Sequence, residues 1–227
     1  MLFQGEKAVT IALGFDSVFT PVYITGRNSD VDTGSEDIVD AGGLYTPMST
    51  AAAVHCSSSA VADTTQTLTV TGLDAAGAPQ VETKLLEGRT EVVVPGTWSA
   101  INSCSLSAAC AGDVYVYIDD TVTNGVPDTS TKVRAKILIA DTVTHMAVYT
   151  VPAGYDLLLT EYTSNQADVQ LWTIASIGGA LQYAESLQGR RLMPRAFPAG
   201  TFLKLRCTAT ADNQDVRATL AGLLRKA

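Results

Sequence analysis

"DVYVYID" (Asp113–Asp119) decides the fold: Val114, Val116 and Ile118 hold one set of alternate positions, Tyr115 and Tyr117 the other. Strand side chains point to opposite faces with a period of two, so this run predicts a half-buried strand with its aliphatic residues inward. The same period governs "TLTVTG" (Thr67–Gly72), where Leu68 and Val70 alternate with threonines. It governs "KVRAKILI" (Lys132–Ile139) too, where Val133, Ala135, Ile137 and Ile139 alternate with Lys132, Arg134 and Lys136. Threonine, valine and tyrosine supply the β-branched and aromatic bias of strands. No segment carries a convincing amphipathic helical pattern.

Turn signals separate these runs at short intervals. "LDAAGAPQ" (Leu73–Gln80) and "EGR" (Glu87–Arg89) bring glycine and proline between strands, and "VPAGYD" (Val151–Asp156) sets Pro152 and Gly154 as a turn requires. "SIGGALQ" (Ser176–Gln182) predicts a hairpin after Trp172, while "GTFLKLRC" and "DVRATLAGLL" read as strands near the C-terminus. Many short strands with frequent turns predict an all-β chain of two β-sandwich or jelly-roll-like domains of short antiparallel strands. The polar run "DDTVTNGVPDTSTK" (Asp119–Lys132) reads as a connector. We therefore place an acidic β domain with an extended N-terminal region at residues 1–141, and a C-terminal β-sandwich at residues 142–227.

Composition narrows the function. With 227 residues, 46% hydrophobic content and a mean hydropathy of +0.17, the chain can bury a large core. No apolar run approaches the roughly 18 residues of a membrane span, and the N-terminus lacks the basic flank and apolar core of a secretory signal. "LFQG" (Leu2–Gly5) resembles part of a viral 3C protease site, and it reads equally well as a native start. The net charge of −8 disfavours nucleic-acid and anionic-membrane partners. That charge is uneven: residues 1–143 hold 17 acids and 7 bases, whereas from Arg190 onward eight bases face only Asp212 and Asp215. Such polarity suits head-to-tail self-association.

The acidic end peaks in "NSDVDTGSEDIVDAGG" (Asn28–Gly43), with Asp30, Asp32, Glu36, Asp37 and Asp40. An EF-hand loop fails, since Gly34 and Ala41 stand where oxygen ligands are needed. A non-EF metal site on Asp30, Asp32 and Asp37 is a weak candidate. Paired-carboxylate catalysis has no second group to join it. "HCSSS" sets His55 beside Cys56 on opposite strand faces, which is wrong for nucleophile activation. Cys56, Cys104, Cys110 and Cys207 lack metal-ligand spacing and read as reduced thiols. No catalytic residue and no cofactor is expected, so the chain does not read as an enzyme. Arg190, Arg191 and Arg195 in "GRRLMPRAF" can pair with carboxylates across an interface. The expected contact joins them to Asp30, Asp32, Glu36 and Asp37 of a neighbouring copy.

Several stretches in order, "ITGRNSDVDTGSEDIVDAGGLYT", "SSSAVADTTQTLTVTGLDAAGAPQVET", "AINSCSLS" and "MAVYTVPAGYDLLLT", resemble a family of tailed-bacteriophage virion proteins. Gly72–Leu73–Asp74, Glu82–Thr83 and Tyr149–Gly154 carry the family features, while "KLLEG" (Lys84–Gly88) departs from them. The resemblance implies a structural protein of the virion, assembled in the host cytoplasm, with no catalytic residues to transfer. The expected role is capsid decoration or cementing by a homo-oligomer, a trimer, against the major capsid protein or neighbouring virion proteins. The alternatives are a neck or tail component (ring, nozzle or fibre base) and a carbohydrate-binding receptor module using Trp172 and Tyr183.

Overall fold

The computed structural model describes residues 19–166, 168–175, 180, 182–187, 191–209 and 211–227. The "LFQG" stretch, Arg190 and most of "SIGGALQ" lie outside them. In chain order the strands are β1 (Phe19–Val31), β2 (Gly34–Asp37), β3 (Ala52–Ser58), β4 (Thr67–Asp74), β5 (Pro79–Leu85), β6 (Val92–Leu106), β7 (Val114–Ile118), β8 (Val122–Thr123) and β9 (Val126–Pro127). They continue with β10 (Val133–Ile137), β11 (Val148–Thr150), β12 (Tyr155–Ser164), β13 (Val169–Ile174), β14 (Gln182–Leu187), β15 (Arg191–Phe197), β16 (Phe202–Ala209) and β17 (Gln214–Lys226). One short 3₁₀ turn, Ser130–Lys132, is the only helical element among the described residues. The described residues are all-β, and the named strands pair antiparallel.

The first lobe is a six-stranded sheet in the order β10-β7-β3-β6-β4-β5. Its long strand β6 pairs with β3 through Val92–Trp98 and with β4 through Trp98–Leu106. Leu68 and Val70 are buried while Thr71 is exposed, as alternation dictates. Gly72 is required where β4 meets β6, because a Cβ there would run into the Ala100 carbonyl. The core beneath gathers Val54, Leu68, Val70, Trp98, Ile101, Val114, Val116 and Ile137, and Ile174 and Phe202 of the other lobe close it.

The second lobe is a sandwich. One sheet runs β1-β17-β12-β15; the other runs β11-β16-β13-β14, with β2 also pairing β16. Between them lie Ile24, Leu157, Leu159, Tyr162, Leu171, Leu203, Leu205 and Leu220. The 141/142 boundary needs correction. β1 pairs with β17 from Phe19↔Arg225 to Val31↔Gln214, and β2 pairs with β16, so residues 19–37 complete the C-terminal sandwich. The physical reason is an edge: β17 has thirteen residues, and β1 supplies the matching partner with Ile24 facing the core.

Three local expectations also change. Tyr117 is fully buried, because β7 is covered on both faces and Tyr117 stacks with His55 at 6.1 Å. Arg134 turns inward where the β7–β10 register shifts between Val133 and Ala135, and Ile139 falls beyond the strand and is exposed. The Asp119–Lys132 segment is not a free connector. It forms the β8–β9 hairpin, and Ser57 Oγ donates to the Gly125 carbonyl at 2.9 Å. The turns behave as read: Asp74 Oδ1 accepts from the N–H groups of Ala76 and Ala78, and Gly77 (φ 78°) and Gly154 (φ 77°) take left-handed conformations.

Candidate functional site

The acidic segment folds back onto its own chain. Asp37 ends β2, with its carboxylate 0% exposed. Lys204 Nζ donates to Asp37 Oδ2 at 2.6 Å, Arg206 Nε to Oδ1 at 3.1 Å, and the Tyr45 N–H to Oδ2 at 2.6 Å. Both bases come from β16, two residues apart and therefore on one face of the strand. Burial pulls Lys204 below the ordinary lysine value, and the Asp37 charge and hydrogen bond oppose that shift. Burial likewise pushes the neighbouring Tyr45 hydroxyl up to about 12.

Glu36 serves the turn that follows. It accepts from Asn28 Nδ2 at 2.9 Å and from the Gly43 N–H at 3.0 Å. Asp40 meets Arg27 Nε at 2.9 Å and His145 at both its N–H (2.9 Å) and Nδ1 (3.2 Å). Arg27 reaches on to Asp141 at 2.5 Å. Burial alone would lower Arg27, but the hydrogen bonds and charges of Asp141 and Asp40 hold its guanidinium above the ordinary value. Among the described residues, Asp40, Asp141 and His145 form the one group with metal-ligand spacing. The Arg27 cation already bridges its two carboxylates.

The sequence-predicted sites therefore divide. Asp30 and Asp32 are exposed, and their carboxylates form no ion pair among the described residues. Asp37 faces the opposite way and is saturated by Lys204, Arg206 and Tyr45, so Asp30, Asp32 and Asp37 do not converge as metal ligands. A buried Asp37 also cannot contact a neighbouring copy; its partners are intramolecular. Arg191 begins β15 opposite Tyr162, and Arg195 is exposed with its guanidinium 5.1 Å from the Phe197 ring. The bases that meet the acidic segment are Arg27, Lys204 and Arg206, which the sequence reading did not single out. Within "FLKLRC", Lys204 and Arg206 alternate with leucines and look solvent-facing, and only the pairing of β2 with β16 covers them.

The two tryptophans differ. Trp98 is fully buried, its Nε1 donating to the Pro95 carbonyl at 3.0 Å. Trp172 lies opposite Tyr183 across β13 and β14, and the Arg206 guanidinium sits 4.9 Å from its ring. The four cysteines are free and buried, and burial pushes the thiols of Cys56 up to about 12 and Cys110 up to about 11.

One surface feature stands apart. β5 ends the six-stranded sheet, and alternate residues from Pro79 to Leu85 are exposed. Val81 (59% exposed) and Leu85 (51%) place apolar surface on this edge. Open apolar edges are templates for association, and folds commonly blunt them with charge, proline or bulges; β5 carries Pro79, Glu82 and Lys84 beside its two exposed apolar side chains.

No protein-family model and no curated protein matches the chain. Solved structures similar to it include that of the infectious bursal disease virus Gt strain, at 14% identity over 92% of this chain and 72% of that chain, with a TM-score of 0.19. They also include the VP2 subviral particle of the same virus, at 10% identity over 96% and 77%, again with a TM-score of 0.19. Scores this low carry no argument about fold or function.

Proposed function

We propose that the protein is a non-enzymatic structural component of a tailed-phage virion, a decoration or cement protein that adheres to the head as a homo-oligomer. The observation that carries the adhesive part of this reading is the open apolar edge of β5, with Val81 and Leu85 exposed at alternating positions. The virion assignment rests on the ordered sequence resemblance to phage virion proteins. A trimer is the expected assembly, with the major capsid protein as partner.

The mechanism is adhesion. Backbone groups on the β5 edge pair with a neighbouring strand, and Val81 and Leu85 lose water against it. Val81 and Leu85 are already about half-buried, so completing their burial yields on the order of 1–1.5 kcal/mol each. Asp30 and Asp32, the carboxylates left exposed, set the charge that a partner's basic surface meets. The test adds purified protein to particles lacking it and compares it with the Val81→Lys/Leu85→Lys variant. Wild-type protein re-binds the heads and the variant does not. Equal re-binding by both contradicts the edge mechanism, and failure of wild-type protein to bind heads contradicts the decoration role.

A further inference from the structure

A groove of about 440 Å³ runs between the two lobes. One wall is β1 from Thr20 to Thr25; the other comes from the ends of β4 and β6 at Thr71–Leu73, Asn102 and Ser103, with Tyr149 and Tyr155 at the base. None of its lining residues is charged, in a chain where 17% of residues are. Three tyrosines face it: Tyr23, which is 71% exposed, and the half-buried Tyr149 and Tyr155. Among the described residues, none hydrogen-bonds the hydroxyls of these tyrosines or of Thr71, whereas the Asn102 amide is locked to Thr150 through both its oxygen (2.8 Å) and its nitrogen (3.0 Å).

From this chemistry we infer that the groove is a binding site for a neutral saccharide. A lining without charge gives an anion or a cation no ion pair. A purely apolar ligand would strip water from the hydroxyls without replacing its hydrogen bonds, which costs free energy. A pyranose meets both demands, because its C–H faces pack on tyrosine rings and its hydroxyls exchange hydrogen bonds with Tyr and Thr. The groove's volume is that of a typical small-molecule site. An added peptide strand fits less well. Arg27 directs its N–H away from β17, to the His145 carbonyl, so by alternation Pro21 stands on the open edge of β1, where it has no N–H to donate. The groove adjoins β5 only at Pro79, and Val81 and Leu85 do not line it, so either reading stands if the other falls.

Saturation-transfer NMR on the purified full chain tests the site. The probes are maltotriose, cellotriose and triacetylchitotriose, with sialyllactose as an anionic control. At least one neutral trisaccharide receives saturation, with a Kd on the order of 1 mM as expected for a shallow site. Tyr23→Ala removes an exposed ring without touching the core, and Tyr149→Phe removes one hydroxyl and keeps the ring. Each weakens binding about fivefold or more, in line with about 1 kcal/mol for a lost hydrogen bond or ring contact. No transfer to any neutral probe overturns the inference, as does binding that survives both substitutions or a preference for sialyllactose. If Tyr23→Ala instead changes the oligomeric state, the groove is a contact between copies, and the saccharide site is again excluded.

Discussion

Removing the Asp37 carboxylate tests the reading that the acidic segment serves the chain's own fold. In Asp37→Ala, Lys204 keeps its buried position, with a side chain only 3% exposed, and loses the anion 2.6 Å away. The Tyr45 N–H and one guanidinium bond from Arg206 lose their acceptor as well. Breaking a buried ion pair by deleting one member costs about 3–5 kcal/mol, because the remaining charge stays desolvated. For a chain of this size each kcal/mol moves the melting temperature by about 2–4 °C, so a drop of roughly 6–20 °C is expected. Scanning calorimetry and urea unfolding measure it. The double change Asp37→Leu/Lys204→Met removes the buried pair together and recovers part of the stability, the remaining loss belonging to the Tyr45 N–H and Arg206, which still lack their acceptor. A single-variant loss below about 1 kcal/mol refutes the reasoning. So does a double variant no better than Asp37→Ala.

Other consequences follow from the same geometry. Gly125→Ala, where φ is +82° and a Cβ meets the Ser58 carbonyl, destabilises more than Gly200→Ala, where φ is +78° and nothing lies nearby. Strain alone accounts for about 1–2 kcal/mol at Gly200, and urea midpoints separate the two. The buried thiols and phenols weaken the fold at alkaline pH. Their folded-state pKa values are raised, with Cys56, Tyr45, Tyr149 and Tyr162 each near 12, so the stability they contribute is complete below the ordinary thiol and phenol values and is lost as pH rises through the folded ones. At one unit above its unfolded value, each such group costs about 1.4 kcal/mol, and urea midpoints at pH 7.5 and 10 reveal the slope. A thiol reagent leaves all four cysteines unmodified in the native protein and reacts with them after denaturation, because all four are buried.

The strands were legible because their signal is local. Thr67–Gly72, "GTFLKLRC" (200–207) and "DVRATLAGLL" (215–224) read as strands from alternation and turn residues alone, and β4, β16 and β17 run through them. The sandwich partnership was not legible, since nothing within Phe19–Val31 says that its partner lies about two hundred residues away on β17. The charges failed for the same reason. Asp37 and Lys204 are ordinary surface-type residues by sequence, and only the pairing of β2 with β16 buries them together. Asp30 and Asp32 kept the exposed position their loop suggested, which leaves a smaller acidic surface than the charge count implied.

A cryo-EM map of the intact particle tests the central claim most directly. The account predicts many copies spread over the head, each with the Val81–Leu85 edge of β5 seated against a neighbouring subunit. A few copies confined to the neck or tail, or head-bound copies whose β5 edge faces open solvent, would contradict it.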